Sequence, residues 1–126
     1  MTEKISTEFA PAAIGPYSQG IKLGNLIFTS GQIALDPKTG LLAGEDITAQ
    51  AEQVMKNLSA VLLGAGTDFS HVVKTTCYLT DMANFAEFNA VYGKYITFAA
   101  RSCVAVAVLP KGALDEVDVI AETPNR

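Results

Sequence analysis

The chain is predicted to fold as an α+β protein, a mixed sheet with two helices laid over one of its faces. Three observations predict this. Runs with the period-two side-chain repeat of a strand occur in the first third, in the middle and at the end. Two further runs place apolar residues three and four apart, the repeat of a helix face. Clusters of Gly, Pro, Asn and Asp separate the runs and supply the turns. With 126 residues, 49% of them apolar, the chain is long enough for one compact domain over 1–126 that buries roughly two-thirds of its unfolded surface.

Tyr17–Leu23 and Leu26–Thr29 are β-prone, and the Gly24-Asn25 pair between them favours positive φ, so they are expected to form a tight antiparallel hairpin. Asp36-Pro37-Lys38-Thr39-Gly40 is dense in turn formers, with a loop continuing to about Asp46. From Ile47 the apolar positions Ala51, Val54, Met55, Leu58, Val61 and Leu62 follow at helical spacing, with Asp46 placed to cap the start and Gly64 and Gly66 placed to stop the end. Val72 to Leu79 reads as a strand. Asp81 then caps a second helix whose Phe85, Phe88, Val91, Tyr92 and Tyr95 form a core-packing stripe.

Ser102 to Val108 sets Val104, Val106 and Val108 on one face and Cys103, Ala105 and Ala107 on the other, so both faces are expected to be buried. After the turn Leu109-Pro110-Lys111-Gly112, the last strand runs from Leu114 to Glu122, with Val117, Val119 and Ala121 inward and Glu116 and Asp118 on the opposite face. Residues 124–126 are expected to form a frayed tail. Two helices cover only one face of such a sheet, so burial of the other is expected to come from subunits packing sheet to sheet.

Composition narrows the function classes. Thirteen acidic against nine basic side chains give a net charge of -4, the basic residues are scattered singly, and no phosphate-binding glycine loop is present, so no nucleic-acid partner is expected. Apolar runs end well before the roughly 18 residues a membrane span needs, and the start Met1-Thr2-Glu3-Lys4 lacks a signal-peptide layout, which predicts a cytoplasmic protein with no membrane association. In that compartment Cys77 and Cys103 are expected to be free, buried thiols. The single histidine, His71, has neither a second His nor a nearby Cys at ligand spacing, so no metal or cofactor is expected, and it is read as an exposed loop residue.

Arg101 enters an apolar strand with no other charge before Val108, and its planar fork suits a carboxylate. Glu116 is its natural intramolecular partner to consider. If the last two strands paired around Lys111, however, Arg101 would lie opposite about Ile120, some four residues or roughly 13 Å from Glu116. The two charges then meet only through another strand order or across a subunit boundary. Tyr17, Ser18, Ser30 and Gly31 flank the first hairpin, and Asn89 lies on the second helix. No nucleophile–histidine pair can be assembled.

Five segments taken together resemble the Rid/YjgF family, and its archetypal RidA branch in particular. They are Ala12-Ala13-Ile14-Gly15-Pro16-Tyr17-Ser18-Gln19-Gly20, Thr29-Ser30-Gly31-Gln32, Phe88-Asn89-Ala90-Val91-Tyr92, Ala100-Arg101-Ser102-Cys103-Val104 and Leu109-Pro110-Lys111-Gly112-Ala113-Leu114. The resemblance spans essentially the whole chain. It implies a chorismate-mutase-like fold with a six-stranded sheet, assembled as a homotrimer with clefts between subunits. It also implies hydrolysis of enamine and imine intermediates (2-aminoacrylate, 2-iminopropanoate, 2-iminobutanoate) to 2-keto acids and ammonia. By the same resemblance Arg101 clamps the substrate carboxylate, Glu116 orients the attacking water, Tyr17, Ser30, Gly31 and Asn89 line the cleft, and Cys103 acts mainly through its backbone. Departures from the family pattern are a connection Tyr95–Arg101 several residues shorter than usual, Ala99 in place of a Pro, and Ala105 in place of a Glu. Competing readings are a non-catalytic binder of keto or amino acids and an RNA-directed translation inhibitor or endoribonuclease.

Overall fold

The structure, a computed structural model, describes residues 2–124. Its strands are β1 (Thr2–Ile5), β2 (Gly20–Leu23), β3 (Leu26–Thr29), β4 (Val72–Leu79), β5 (Ala100–Ala105) and β6 (Asp115–Glu122), and its helices are α1 (Ile47–Gly64) and α2 (Phe85–Tyr92). They form one six-stranded sheet in the order β1-β2-β3-β6-β4-β5. Every neighbouring pair is antiparallel except β4 and β5, so the sheet is mixed, as expected.

Capping and burial explain both helices. The Asp46 carboxylate accepts from Ala49 N at 2.8 Å to open α1, and Gly66 at φ +85° takes the chain out of it. Between them Val54, Met55, Leu58, Val61 and Leu62 are fully buried against the sheet. Asp81 caps as expected, but its carboxylate accepts from Ala83 N and opens a single 3-10 turn, Met82–Asn84, which runs on into α2. On α2 the stripe buries Phe88, Val91 and Tyr92. α2 is also the crossover that a parallel strand pair requires.

The sheet differs from expectation in four places. β1 was not legible, because Thr2-Glu3-Lys4 is polar and exposed and only Ile5 reaches the core; the strand exists through its pairing with β2. β2 begins at Gly20 rather than Tyr17, since Pro11, Pro16 and Gly15 (φ +136°) hold the preceding residues in a loop. That loop is tied down by buried Gln19, whose amide nitrogen donates to Pro11 O at 2.8 Å while its oxygen accepts from Thr7 N at 2.7 Å.

β5 runs from Ala100 to Ala105 and lies at the sheet edge, with Val104 at 47% exposure and Val108 at 80%. The expected burial of both its faces is therefore not met within one chain. The last two strands are also not neighbours. Residues 106–114 carry the chain past β4, and β6 inserts between β3 and β4. The core face of β6 carries Val117, Val119 and Ala121, all buried, and Glu116, Asp118 and Ile120 face the other way, as the alternation predicted.

One core residue breaks the pattern. Asp115 is completely buried, and neither carboxylate oxygen has a hydrogen-bond partner. Around it Gln50 Oε1 accepts from Leu114 N at 2.8 Å and Thr80 N donates to Leu114 O at 3.2 Å, so these neighbouring donors are engaged elsewhere. Burial, with the nearby Glu116 charge, pushes the carboxyl from 3.8 up to about 7. An acid whose folded pKa is raised ionises first in the unfolded chain, so stability is lost as pH rises from about 4 to about 7. Between pH 5 and pH 8 this group is expected to remove about 3 kcal/mol, and Asp115→Asn to abolish that decrement. Urea unfolding at both pH values and fixed chain concentration measures the effect; an equal pH dependence in the two proteins would show that Asp115 does not titrate on folding.

Candidate functional site

The candidate residues fall into two patches on different parts of the sheet. The first is built where β5 meets α2. Arg101 is the register partner of Thr75 on β4, so its side chain leaves the sheet on the face covered by α2. There Nη1 donates to Asn89 Oδ1 at 2.6 Å, and the guanidinium carbon lies 4.7 Å from the Tyr92 ring centroid and 5.4 Å from that of Phe85. The Tyr92 hydroxyl is in turn bonded to the Thr75 hydroxyl at 2.7 Å in the core. Among the described residues no carboxylate approaches Arg101 within ion-pair distance. An open pocket of about 380 Å³, lined by Arg101, Asn89, Tyr92 and residues 96–99 of the following connection, adjoins it.

Cys103 lies two residues along β5 on the same face as Arg101 and is half-buried, the register partner of buried Cys77. Both cysteines are free, as expected, though only Cys77 is fully enclosed. Burial pushes the Cys77 thiol up to about 12 and raises Cys103 as well, despite the opposing charge of Arg101. Neither is a thiolate at neutral pH, so neither is a ready nucleophile.

The second patch lies at the start of β6. Glu116 packs directly against Gly31, where any β-carbon would overlap the carboxylate. The segment is fixed by two backbone bonds between Gln32 and Val117, at 2.9 and 3.2 Å. A pocket of about 170 Å³ here is lined by Glu116, Gly31, Tyr17, Gln32, Pro110 and Lys111, among others. Tyr17 is 55% exposed. Ser30 is next to Gly31, but its hydroxyl donates to Ser18 O at 2.5 Å and so serves the loop. Burial, and secondarily the charge of Asp118, raise the Glu116 carboxyl above its ordinary value.

One chain does not bring the two patches together. β4 lies between β5 and β6, Arg101 is level with Val119 across it, and Glu116 is three residues further along β6 on the opposite face of the sheet. The hairpin expectation is corrected in its register, since Arg101 is not opposite Ile120 through a shared strand pair. Its consequence, that Arg101 and Glu116 stay apart within a chain, stands.

Phe85 and Tyr92 at the first patch and Gln32 and Lys111 at the second were not among the expected residues. For the first two a signal existed. Phe85, Asn89 and Tyr92 are spaced i, i+4, i+7, which places one polar and two aromatic side chains on a single helix edge. His71, read as an exposed loop residue, is only partly exposed and ends a 3-10 turn with Nδ1 3.0 Å from Asp68 Oδ1, away from both patches. Among the described residues no group of three or more His, Cys, Asp or Glu side chains could hold a metal, and no helix is long and apolar enough to cross a membrane.

A mixed sheet of this order, with two helices side by side on one face and a guanidinium and a carboxylate displayed separately, defines a small α+β protein with two separate polar patches. The family model described as Endoribonuclease L-PSP matches residues 7–123, and the chain belongs to that family, the Rid/YjgF proteins. It is 52% identical over 123 residues to a Lactococcus lactis protein named as a regulator, AldR, covering 96% of this chain and 98% of that one. It is 49% identical over 126 residues to the 2-iminobutanoate/2-iminopropanoate deaminase of Salmonella typhimurium, covering 96% and 98%. Among solved structures, the Rid-family protein YyfA of Yersinia pestis is similar with a TM-score of 0.95 at 47% identity, covering 98% of this chain and 100% of that one. E. coli TdcF with bound serine is similar with a TM-score of 0.92 at 40% identity, covering 97% and 99%.

The contact between Gly31 and Glu116 yields a double-mutant test. Gly31→Ala is expected to cost roughly 1–3 kcal/mol of stability through overpacking against the carboxylate. In a Glu116→Ala background the same change is expected to cost well under half as much, because its clash partner is gone. Denaturant unfolding of the four proteins measures the coupling; equal costs in both backgrounds would locate the strain elsewhere.

Proposed function

We propose that this protein is an enamine/imine deaminase that converts 2-aminoacrylate, 2-iminopropanoate and 2-iminobutanoate to 2-keto acids and ammonia. The observation that carries the reading is the Arg101 guanidinium, held against α2 with no carboxylate of the described residues on it, in a member of a family that includes a 2-iminobutanoate/2-iminopropanoate deaminase at 49% identity. A planar fork in that state is suited to a small carboxylate.

The assembly proposed is a homotrimer, because each chain carries two half-sites that a subunit boundary can join. Arg101, with Asn89 beside it and Cys103 adjacent, would face Glu116, Gly31, Tyr17 and Ser30 of a neighbouring subunit. The reaction then needs no cofactor, metal or covalent intermediate. The enamine takes a proton at carbon to become the imine. Arg101 fixes its carboxylate, Glu116 presents a water to C2, and attack gives a carbinolamine. Protonation of its nitrogen and collapse to the carbonyl release ammonia. A Glu116 pKa raised above the ordinary carboxylate value by burial suits a group that must both take and return a proton. The chain is read as one domain acting in the cytoplasm.

A second reading, a non-catalytic binder of small amino or keto acids, is favoured by the serine held by the related TdcF. The endoribonuclease description of the family finds little support in these residues, with a net charge of -4 and one histidine that lies away from both patches.

The test generates 2-aminoacrylate from serine with a dehydratase and follows pyruvate with and without the protein. Acceleration is expected, and Arg101→Lys is expected to lose about 90% or more of it although the charge is kept. Glu116→Gln is expected to lower turnover about 100-fold or more. No acceleration by the unaltered protein, together with tight binding of pyruvate, would leave the binder reading in place of the enzyme.

A further inference from the structure

We infer that Tyr92 is a positioning residue for Arg101, its ring fixing the plane of the guanidinium and its hydroxyl fixing the ring to the strand next to Arg101. The inference rests on the carboxylate-clamp reading of Arg101 and adds how that clamp is kept in order.

Three contacts close a triangle. Thr75 is the register partner of Arg101 across the parallel β4–β5 pair, so the two backbones are locked side by side. Thr75 Oγ1 is bonded at 2.7 Å to the Tyr92 hydroxyl, and the Tyr92 ring lies 4.7 Å beneath the guanidinium of Arg101. The ring therefore cannot shift along the sheet without breaking a buried hydrogen bond, and the guanidinium cannot leave the ring without losing the cation–π contact. Phe85 at 5.4 Å and Asn89 at 2.6 Å limit the remaining freedom.

An arginine side chain carries many rotamers, and a ligand that must order it binds more weakly by that cost. Here the ordering is done by the fold. One of the five N–H donors is used on Asn89, which leaves others free for a ligand carboxylate lying in the guanidinium plane. Tyr92 is almost wholly buried and does not need to touch that ligand.

The test compares Tyr92→Leu, which removes the ring, with Tyr92→Phe, which keeps the ring and removes the hydroxyl. Two readouts are taken on the full-length protein: pyruvate affinity by calorimetry and the Arg101 Nε–H signal in ¹⁵N-resolved NMR. Tyr92→Leu is expected to weaken pyruvate binding about tenfold and to move the Nε–H signal out of the ring-current field, and Tyr92→Phe to rescue both to within about threefold of the parent. Phe85→Leu, a substitution at a less buried ring, is expected to give an intermediate loss and keeps the test open if Tyr92→Leu does not fold. If Arg101→Lys abolishes pyruvate binding but Tyr92→Leu and Phe85→Leu leave both readouts at the parent values, the positioning role is overturned and the clamp survives. If Arg101→Lys itself binds pyruvate like the parent, the clamp reading falls instead.

Discussion

The pairing of β6 on both its edges is the constraint from which the rest of this structure follows. β6 is antiparallel to β3 on one side and to β4 on the other, so it joins the N-terminal hairpin to the β4–β5 pair in one sheet. Its strict alternation fixes which face is covered. Val117, Val119 and Ala121 must meet the helices, and a slip of one residue would put Glu116 and Asp118 into the core. Once that register is set, Arg101 is level with the inward Val119 and leaves the sheet on the face opposite Glu116.

The separation of the two patches is a direct result. Arg101 leaves β5 on the helix-covered face because its register partner Thr75 points there, whereas Glu116 leaves β6 on the uncovered face. Each patch has its own means of order. Arg101 is held by side chains, two aromatic rings and an amide. Glu116 is held by backbone, packed on a residue with no side chain and joined to it through the Gln32–Val117 bonds. A carboxylate resting on a glycine keeps its oxygens open to a pocket, which a larger residue at that position would fill.

Much of this was legible in the residues, and what was not has physical reasons. The 3.6-residue repeat from Ile47 with Asp46 ahead of it is local information, so α1 could be read to within a residue of its ends. β1 has one buried side chain in four and owes its existence to a partner strand, which no local pattern reports. The neighbour of β5 was equally hidden. Adjacent strands in sequence default to a hairpin, and only the packing of α2 as a crossover makes β5 parallel to β4. Arg101 and Glu116 stood out as charges on apolar strands, but the rings of Tyr92 and Phe85 read as core, and Tyr92 is both core and support. Asp115 shows the opposite failure. The alternation of β6 gives it an inward position, yet no local pattern reports that its carboxylate is enclosed without a partner.

The uncovered face carries Phe28 at 37% exposure on β3, beside β6, and Val104 at 47% on β5, level with Tyr78 and Glu116. The pKa values of the Glu116 and Asp118 carboxylates are already raised by burial within one chain, and Asp118 further raises Glu116. Covering that face with a second copy would bury the apolar residues favourably and lift both acids further, unless a cation arrived with the copy. Tyr78 and, less strongly, Lys74 offset part of the rise at Asp118, but nothing comparable acts on Glu116. A subunit that brought Arg101 to Glu116 would relieve that cost only until a ligand carboxylate claimed the guanidinium. Under the proposed assembly, then, a ligand carboxylate on Arg101 withdraws the cation from Glu116 and leaves its carboxylate a stronger base for the water it presents.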